Sequence, residues 1–127
     1  MNVRDATDDD ADALAALAAE EMDAERLIRD RTVRVAETDD GLAGFVAFDT
    51  WRGAVHVTRF DGEPDAVGEL LGEPRAFAAG ESLPVEVVVP GGDDAFHEVL
   101  VDAGFEDDGE GPSFDGERTR RFRCPPE

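Results

Sequence analysis

The residues best placed to do chemistry sit in one turn and two strands. The turn is Arg59-Phe60-Asp61-Gly62-Glu63-Pro64. It joins a strand-like run, Ala54-Val55-His56-Val57-Thr58, to a helix-like run that starts near Pro64. Strand, glycine turn and helix together build an anion site, because the turn's N–H groups and the helix N-terminus aim partial positive charge at one point. Here Asp61 and Glu63 set two carboxylates where a phosphate would sit. His56 can act as a general base on its strand, although a lone strand histidine is more commonly structural. Glu86 interrupts a valine-rich run, Leu83-Pro84-Val85-Glu86-Val87-Val88-Val89, and a carboxylate there needs a partner or marks a site. Trp51 lies at a turn and reads as packing over a hairpin end or as a substrate or partner contact. Asp8, Asp9 and Asp10 read as a solvated helix start rather than a metal cluster, since hard cations need a folded cage of oxygens. Cys124 is the single cysteine, which excludes an internal disulfide and a cysteine-based metal site.

Charge is the outlying bulk property. Thirty-two acidic residues face 12 basic ones, all arginine, for a net charge of −20. Such a domain repels itself at low salt. The acids are spread along the chain and apolar periodicity persists between them, which favours a folded protein adapted to molar salt over a disordered acidic tail. At about 1 M salt the Debye length falls to roughly 3 Å, and the self-repulsion largely disappears. The lysine-free, Asp-rich composition resembles that of halophilic archaeal proteins. No apolar run is long enough to span a bilayer and no signal-like segment opens the chain, so a cytoplasmic protein is expected. Nucleic acid is not an expected partner, because basic residues gather only at Arg118–Arg123. With 127 residues, one domain over 1–127 is expected.

Periodicity supplies the elements that must position these residues. Residues 2–6 form a short strand. Thr7 caps a helix in which Asp10 returns the capping bond, and Leu14, Leu17, Ala18 and Met22 share an apolar face. Helix continues to about residue 31, with a break near Met22-Asp23. Residues 33–49 read as a hairpin with a loop of several residues around Asp39-Asp40-Gly41, and residues 54–60 add a third antiparallel strand after the turn 50–53. Residues 64–79 are helical, broken by Gly72 and Pro74. The strand at 83–89 is expected to be buried on both faces. Pro90-Gly91-Gly92 ends it, Asp93 or Asp94 caps a helix over 95–103, and Gly104 stops that helix. Strands from Phe105 and over 118–123 finish the chain.

This order, β-α-α-β-β-β-α-β-α-β-β, resembles the GNAT family of acyl-CoA-dependent N-acyltransferases. Four stretches carry the resemblance. Val3–Ala11 looks like the family's first strand and helix start. Val35–Val46 looks like its second and third strands with their turn. Arg59–Pro64 lies where the family places Gln/Arg-x-x-Gly-x-Gly/Ala. Ala103-Gly104-Phe105-Glu106 looks like the Gly-Phe junction after the fourth helix. The resemblance implies a mixed α/β fold with a mostly antiparallel central sheet of about six or seven strands and helices on both faces. It implies acetyl-CoA as cofactor. The backbone of His56, Val57 and Thr58 would face the pantetheine arm, and the turn of Arg59, Phe60, Asp61, Gly62 and Glu63 would face the pyrophosphate. Glu86 or His56 would serve as base toward an unidentified amine.

The chain departs from the family pattern at three points. Pro64 replaces a small residue and removes an N–H donor. The family's frequent tyrosine acid would fall at Leu100, and the chain has no tyrosine. The family's helix-start asparagine would fall at Asp93. Three readings therefore follow: an N-acetyltransferase, a GNAT-like fold without catalysis that binds a ligand or a protein, and a structural or homodimerisation module.

Overall fold

The computed structural model describes residues 1–18, 22–90, 94–113, 116 and 118–126. Its strands are β1 (Asn2–Asp5), β2 (Thr32–Thr38), β3 (Gly41–Trp51), β4 (Ala54–Gly62), β5 (Val85–Pro90), β6 (Glu106–Glu110) and β7 (Thr119–Cys124). Its α-helices are α1 (Ala11–Leu17), α2 (Ala24–Asp30), α3 (Pro64–Leu70), α4 (Gly72–Glu81) and α5 (Asp94–Asp102). The strands form one sheet in the order β1-β2-β3-β4-β5-β7-β6. Only β4 and β5 run parallel; every other neighbouring pair is antiparallel. The expected mixed fold with helices on both faces is thus present.

Local chemistry explains most of the connections. At β2–β3, the Thr38 hydroxyl accepts from the Asp40 N–H at 3.2 Å and donates to the Gly41 carbonyl at 3.1 Å. This closes the hairpin with the two residues Asp39-Asp40, tighter than the several-residue loop expected from sequence. At β3–β4, Arg52 and Gly53 both hold positive φ (51° and 78°), the requirement of a two-residue turn matched to strand twist. β3 therefore runs on to Trp51, two residues beyond the expected strand end. α1 is shorter than expected, ending at Leu17, with Ala18 already extended. Asp23 instead caps a separate α2 by accepting from the Arg26 N–H at 3.1 Å, so Met22 precedes a helix rather than ending one. The helical region after Pro64 divides between α3 and α4 at Leu71, as Gly72 and Pro74 suggest. Gly104, at φ 96°, follows α5 as its stop. The expected Gly91-Gly92 turn and the Asp93 cap lie outside the described residues.

The sheet is buried unequally. One face carries Val46, Phe48, Val55, Val57, Val85, Val87, Val89 and Phe122 against α3, α4 and α5. The other carries Val33, Val35, Phe45 and Ala47 against Ala11, Leu14 and Ala24 of the first two helices. Among the described residues, that second cluster takes nothing from β4, β5 or β7. The expectation that β5 is buried on both faces is therefore corrected. Val85, Val87 and Val89 are buried, while Val88 is 38% exposed and Glu86 is half-buried on the uncovered face. The valine run reflects propensity for an inner strand rather than two-sided cover.

The first helix is pinned to the sheet edge by a charged cluster. Arg4 on β1 donates to both oxygens of Asp10 at 2.8 and 3.0 Å and to Glu37 on β2 at 3.0 Å. Asp10 also accepts from the Thr7 N–H at 2.8 Å, which is the expected return bond of the cap. The Arg4 guanidinium holds the Asp10 carboxyl down to about 2, from its ordinary 3.8. A depressed carboxyl contributes stability above its unfolded pKa and loses it as pH falls through its folded value. We expect Asp10→Asn to cost about 1–2 kcal/mol at neutral pH, with the gap between variant and parent closing between about pH 4 and pH 2. Urea midpoints of both proteins across that range measure it, and a gap independent of pH would disprove the assignment.

Candidate functional site

The site begins with one extra residue. β3 and β4 pair in register from Trp51↔Ala54 to Phe48↔Val57, then resume at Ala47↔Arg59. Thr58 is left without an opposite number, a β-bulge, and its hydroxyl donates to the Ala47 carbonyl at 3.3 Å. The bulge reverses the alternation of β4. Val55 and Val57 face α3–α5 before it, and Phe60, opposite Val46, faces them after it. Arg59 and Asp61 lie opposite Ala47 and Phe45, whose side chains belong to the α1–α2 face. Parallel pairing with β5 covers only Val55↔Val85, His56↔Glu86 and Val57↔Val87. Beyond Val57, β4 stays with β3 as far as Gly62 while β5 stays with β7 as far as Pro90. The two strands part just after the bulge begins. Of the backbone expected to be open, His56 and Val57 are paired with β5, and the edge without a β5 partner starts at Thr58.

His56 and Glu86 are register partners one rung before the strands part, on the open part of the α1–α2 face. His56 Nε2 lies 3.1 Å from the Trp51 carbonyl oxygen. A carbonyl oxygen only accepts, so in the neutral ring Nε2 carries the proton and Nδ1 holds the lone pair. Nδ1 faces Glu86 Oε2 at 3.7 Å, too long for a direct hydrogen bond. The arrangement can take a proton at Nδ1 and stabilise the imidazolium with the Glu86 charge. Trp51 contributes more than its carbonyl. Its ring meets His56 edge-on at 5.7 Å and lies beneath the Arg52 guanidinium at 4.4 Å. The same cross-strand row continues to Asp49 on β3 and Arg123 on β7. The sequence singled out His56 and Glu86 separately. Their adjacency depends on the β4–β5 register, which carries no local signal; the tautomer is set within the β3–β4 hairpin, by a carbonyl five residues from His56.

The Arg59–Pro64 turn is shaped by packing. Gly62 has φ 130°, and a Cβ there would stand 2.4 Å from both the Ala43 carbonyl oxygen and the Gly44 Cα. The Glu63 N–H donates to that same Ala43 carbonyl at 2.9 Å. The Gly62 N–H donates to the Asp61 carboxylate at 2.8 Å. Pro64, the first residue of α3, has no N–H. Beside the helix start, Pro64, Asp65, Gly68, Val99, Asp102 and Ala103 line a groove of about 260 Å³ between α3 and α5. Phe60 and Phe96 meet nearby in an edge-to-face contact at 5.1 Å, an apolar wall on the helix side of the parted strands. Leu100, where the resemblance would place the family's acid, is fully buried in the core. Cys124 is also buried. Among the described residues no group of three or more His, Cys, Asp or Glu is arranged to hold a metal, and no helix is long and apolar enough to cross a membrane.

A phosphorylated thioester cofactor fits this site only in part. Among the described residues, the β4 edge beyond its β5 pairing and the Phe60–Phe96 wall suit an extended, largely apolar arm bearing amides. The turn does not suit a pyrophosphate. Two of its N–H groups are already bonded, one of them to a carboxylate, and a third is missing.

No family model and no curated protein matches the chain. Solved structures do. An acetyltransferase of the GNAT family from Bacillus cereus superposes with a TM-score of 0.79 at 16% identity, over 99% of this chain and 97% of that one. An N-acetyltransferase from Staphylococcus aureus gives 0.80 at 9% identity, over 98% and 96%. A ribosomal-protein-alanine N-acetyltransferase from Brucella melitensis gives 0.77 at 18% identity, over 98% and 99%. At such identities the likeness is one of fold, and the fold of this chain is the GNAT fold.

Gly62 therefore has a structural duty independent of any ligand. Gly62→Ala should lower unfolding free energy by about 2 kcal/mol or more, because the new Cβ meets backbone that cannot rotate away. Equilibrium denaturation measures this, and a loss below about 0.5 kcal/mol would show that the close approach of β3 and β4 is not a constraint.

Proposed function

We propose that this protein is an N-acyltransferase that moves an acetyl group from a thioester of the acetyl-CoA type to an amine. One observation carries the reading: β4 and β5 part directly beyond a His–Glu pair held in register, on a GNAT fold. A bound donor would supply an acyl carbon activated by sulfur. The backbone of Thr58, Arg59 and Phe60 would align its arm along the edge of β4 beyond its β5 pairing, next to the turn of Asp61, Gly62 and Glu63. His56 Nδ1 takes the proton that the amine nitrogen releases as its bond to the acyl carbon forms and the carbon–sulfur bond breaks. Glu86 holds the resulting imidazolium, and the Trp51 carbonyl keeps the opposite ring nitrogen protonated. The thiolate leaves without a side-chain acid, since Leu100 supplies none.

A second reading, a GNAT fold that binds a ligand without turning it over, is favoured by that buried Leu100 and by the occupied N–H groups of the turn. Amine-dependent thiol release, followed over a panel of amines in molar KCl, separates the two. Its absence with every amine, together with ligand-induced stabilisation, would establish the second reading instead. If the first holds, His56→Gln should slow thiol release by about 10²–10⁴-fold, the usual range for a general base, while leaving thermal stabilisation by the thioester unchanged. Unchanged turnover would remove His56 from the mechanism.

The acidic surface is read as adaptation to salt. The unfolding temperature should climb as KCl rises from low to molar concentration, because screening removes self-repulsion among 32 carboxylates. A flat dependence would refute that reading.

A further inference from the structure

We infer that this site recognises its acyl donor by the thioester arm alone, and that the nucleotide half of acetyl-CoA contributes nothing to binding. The inference rests on the acyltransferase reading and sharpens it to a class of donor: acyl-pantetheine thioesters, with or without an attached nucleotide.

Four observations at the turn converge. The Gly62 N–H is bonded to the Asp61 carboxylate at 2.8 Å, so an internal anion already occupies the donor that a phosphate oxygen would use. The Glu63 N–H is bonded to the Ala43 carbonyl at 2.9 Å, a contact tied to the close approach of Gly62 to β3. Pro64 has no N–H to offer. The turn's one cation, Arg59, lies opposite Ala47 and so points to the α1–α2 face, away from the helix start.

The charges around the mouth agree with this. Glu63 is exposed before α3, Asp65 and Asp102 line the groove between α3 and α5, and among the described residues no basic residue lines it. A pyrophosphate would enter among carboxylates and find the Gly62 and Glu63 N–H groups of the turn already bonded. Molar salt would soften the repulsion, since charges beyond roughly 3 Å are then screened, but it would add no attraction. The arm meets the opposite conditions: a strand edge that, among the described residues, has no β5 partner from Thr58 onward, and the apolar Phe60–Phe96 wall.

The test compares S-acetyl-pantetheine, acetyl-CoA and 3′-phospho-ADP by thermal unfolding of the full chain in molar KCl. The expected result is equal stabilisation by the two thioesters, with apparent affinities within about threefold, and none by 3′-phospho-ADP. Lowering the salt should weaken acetyl-CoA and leave S-acetyl-pantetheine unchanged. The double variant Asp61→Asn, Glu63→Gln should tighten acetyl-CoA by about tenfold and leave S-acetyl-pantetheine where it was. If acetyl-CoA binds the parent protein about tenfold or more tightly than S-acetyl-pantetheine, or if 3′-phospho-ADP stabilises it, the nucleotide is recognised and the inference is overturned while the acyltransferase reading stands. If neither thioester stabilises the protein and neither supports thiol release, the acyltransferase reading falls and takes this inference with it.

Discussion

The extra residue at Thr58 is the constraint on which the rest of the site depends. Without it, β4 would keep a single alternation along its length, and Phe60 would turn toward the α1–α2 face. With it, the first half of β4 presents Val55 and Val57 to the helices and the second half presents Phe60. The strand bends as any bulged strand does, follows β3, and leaves β5 to follow β7. One inserted residue thus accounts for the parting of two parallel strands, for the apolar wall beside the gap, and for the position of the His56–Glu86 pair in the last rungs before it.

The second constraint is the contact of Gly62 with Ala43 and Gly44. It draws the end of β4 against β3 so closely that no side chain fits. It also commits the Glu63 N–H to a β3 carbonyl. A glycine in this turn would ordinarily be read as room for a phosphate. Here the space is filled by the protein's own backbone, and the glycine's own N–H is taken by Asp61. Conformational freedom at a glycine and availability of its N–H are separate properties, and this turn has the first without the second.

Much of the fold was legible because it rests on local rules. The Thr7–Asp10 cap, the Gly72–Pro74 break, the Gly104 stop and the three-strand meander all follow from turn chemistry and periodicity over a few residues. The misses share a cause as well. The length of α1 and the exposure of Val88 depend on what a distant element covers, and residues 85–89 look alike whether one face or two is packed. The two-residue turn at Asp39-Asp40 was hidden because the Thr38 hydroxyl supplies bonds that a longer loop would otherwise need.

For the site, the sequence by itself determined the chemical parts: a histidine and a glutamate on strands, a glycine turn before a proline-started helix, carboxylates on that turn, and no tyrosine anywhere. Composition and local pattern suffice for such statements because they concern residue types and near neighbours. Only the tertiary structure decided what those parts do to one another. The β4–β5 register brings His56 beside Glu86, residues 30 positions apart in sequence. The Trp51 carbonyl sets the tautomer, the Thr58 bulge decides which face Arg59 takes and which Phe60 takes, and Asp61 and Ala43 occupy the N–H groups of Gly62 and Glu63. Each of these is a matter of register or close backbone approach. A shift of one residue in a strand exchanges its faces, and nothing in the local sequence records which register the sheet adopts.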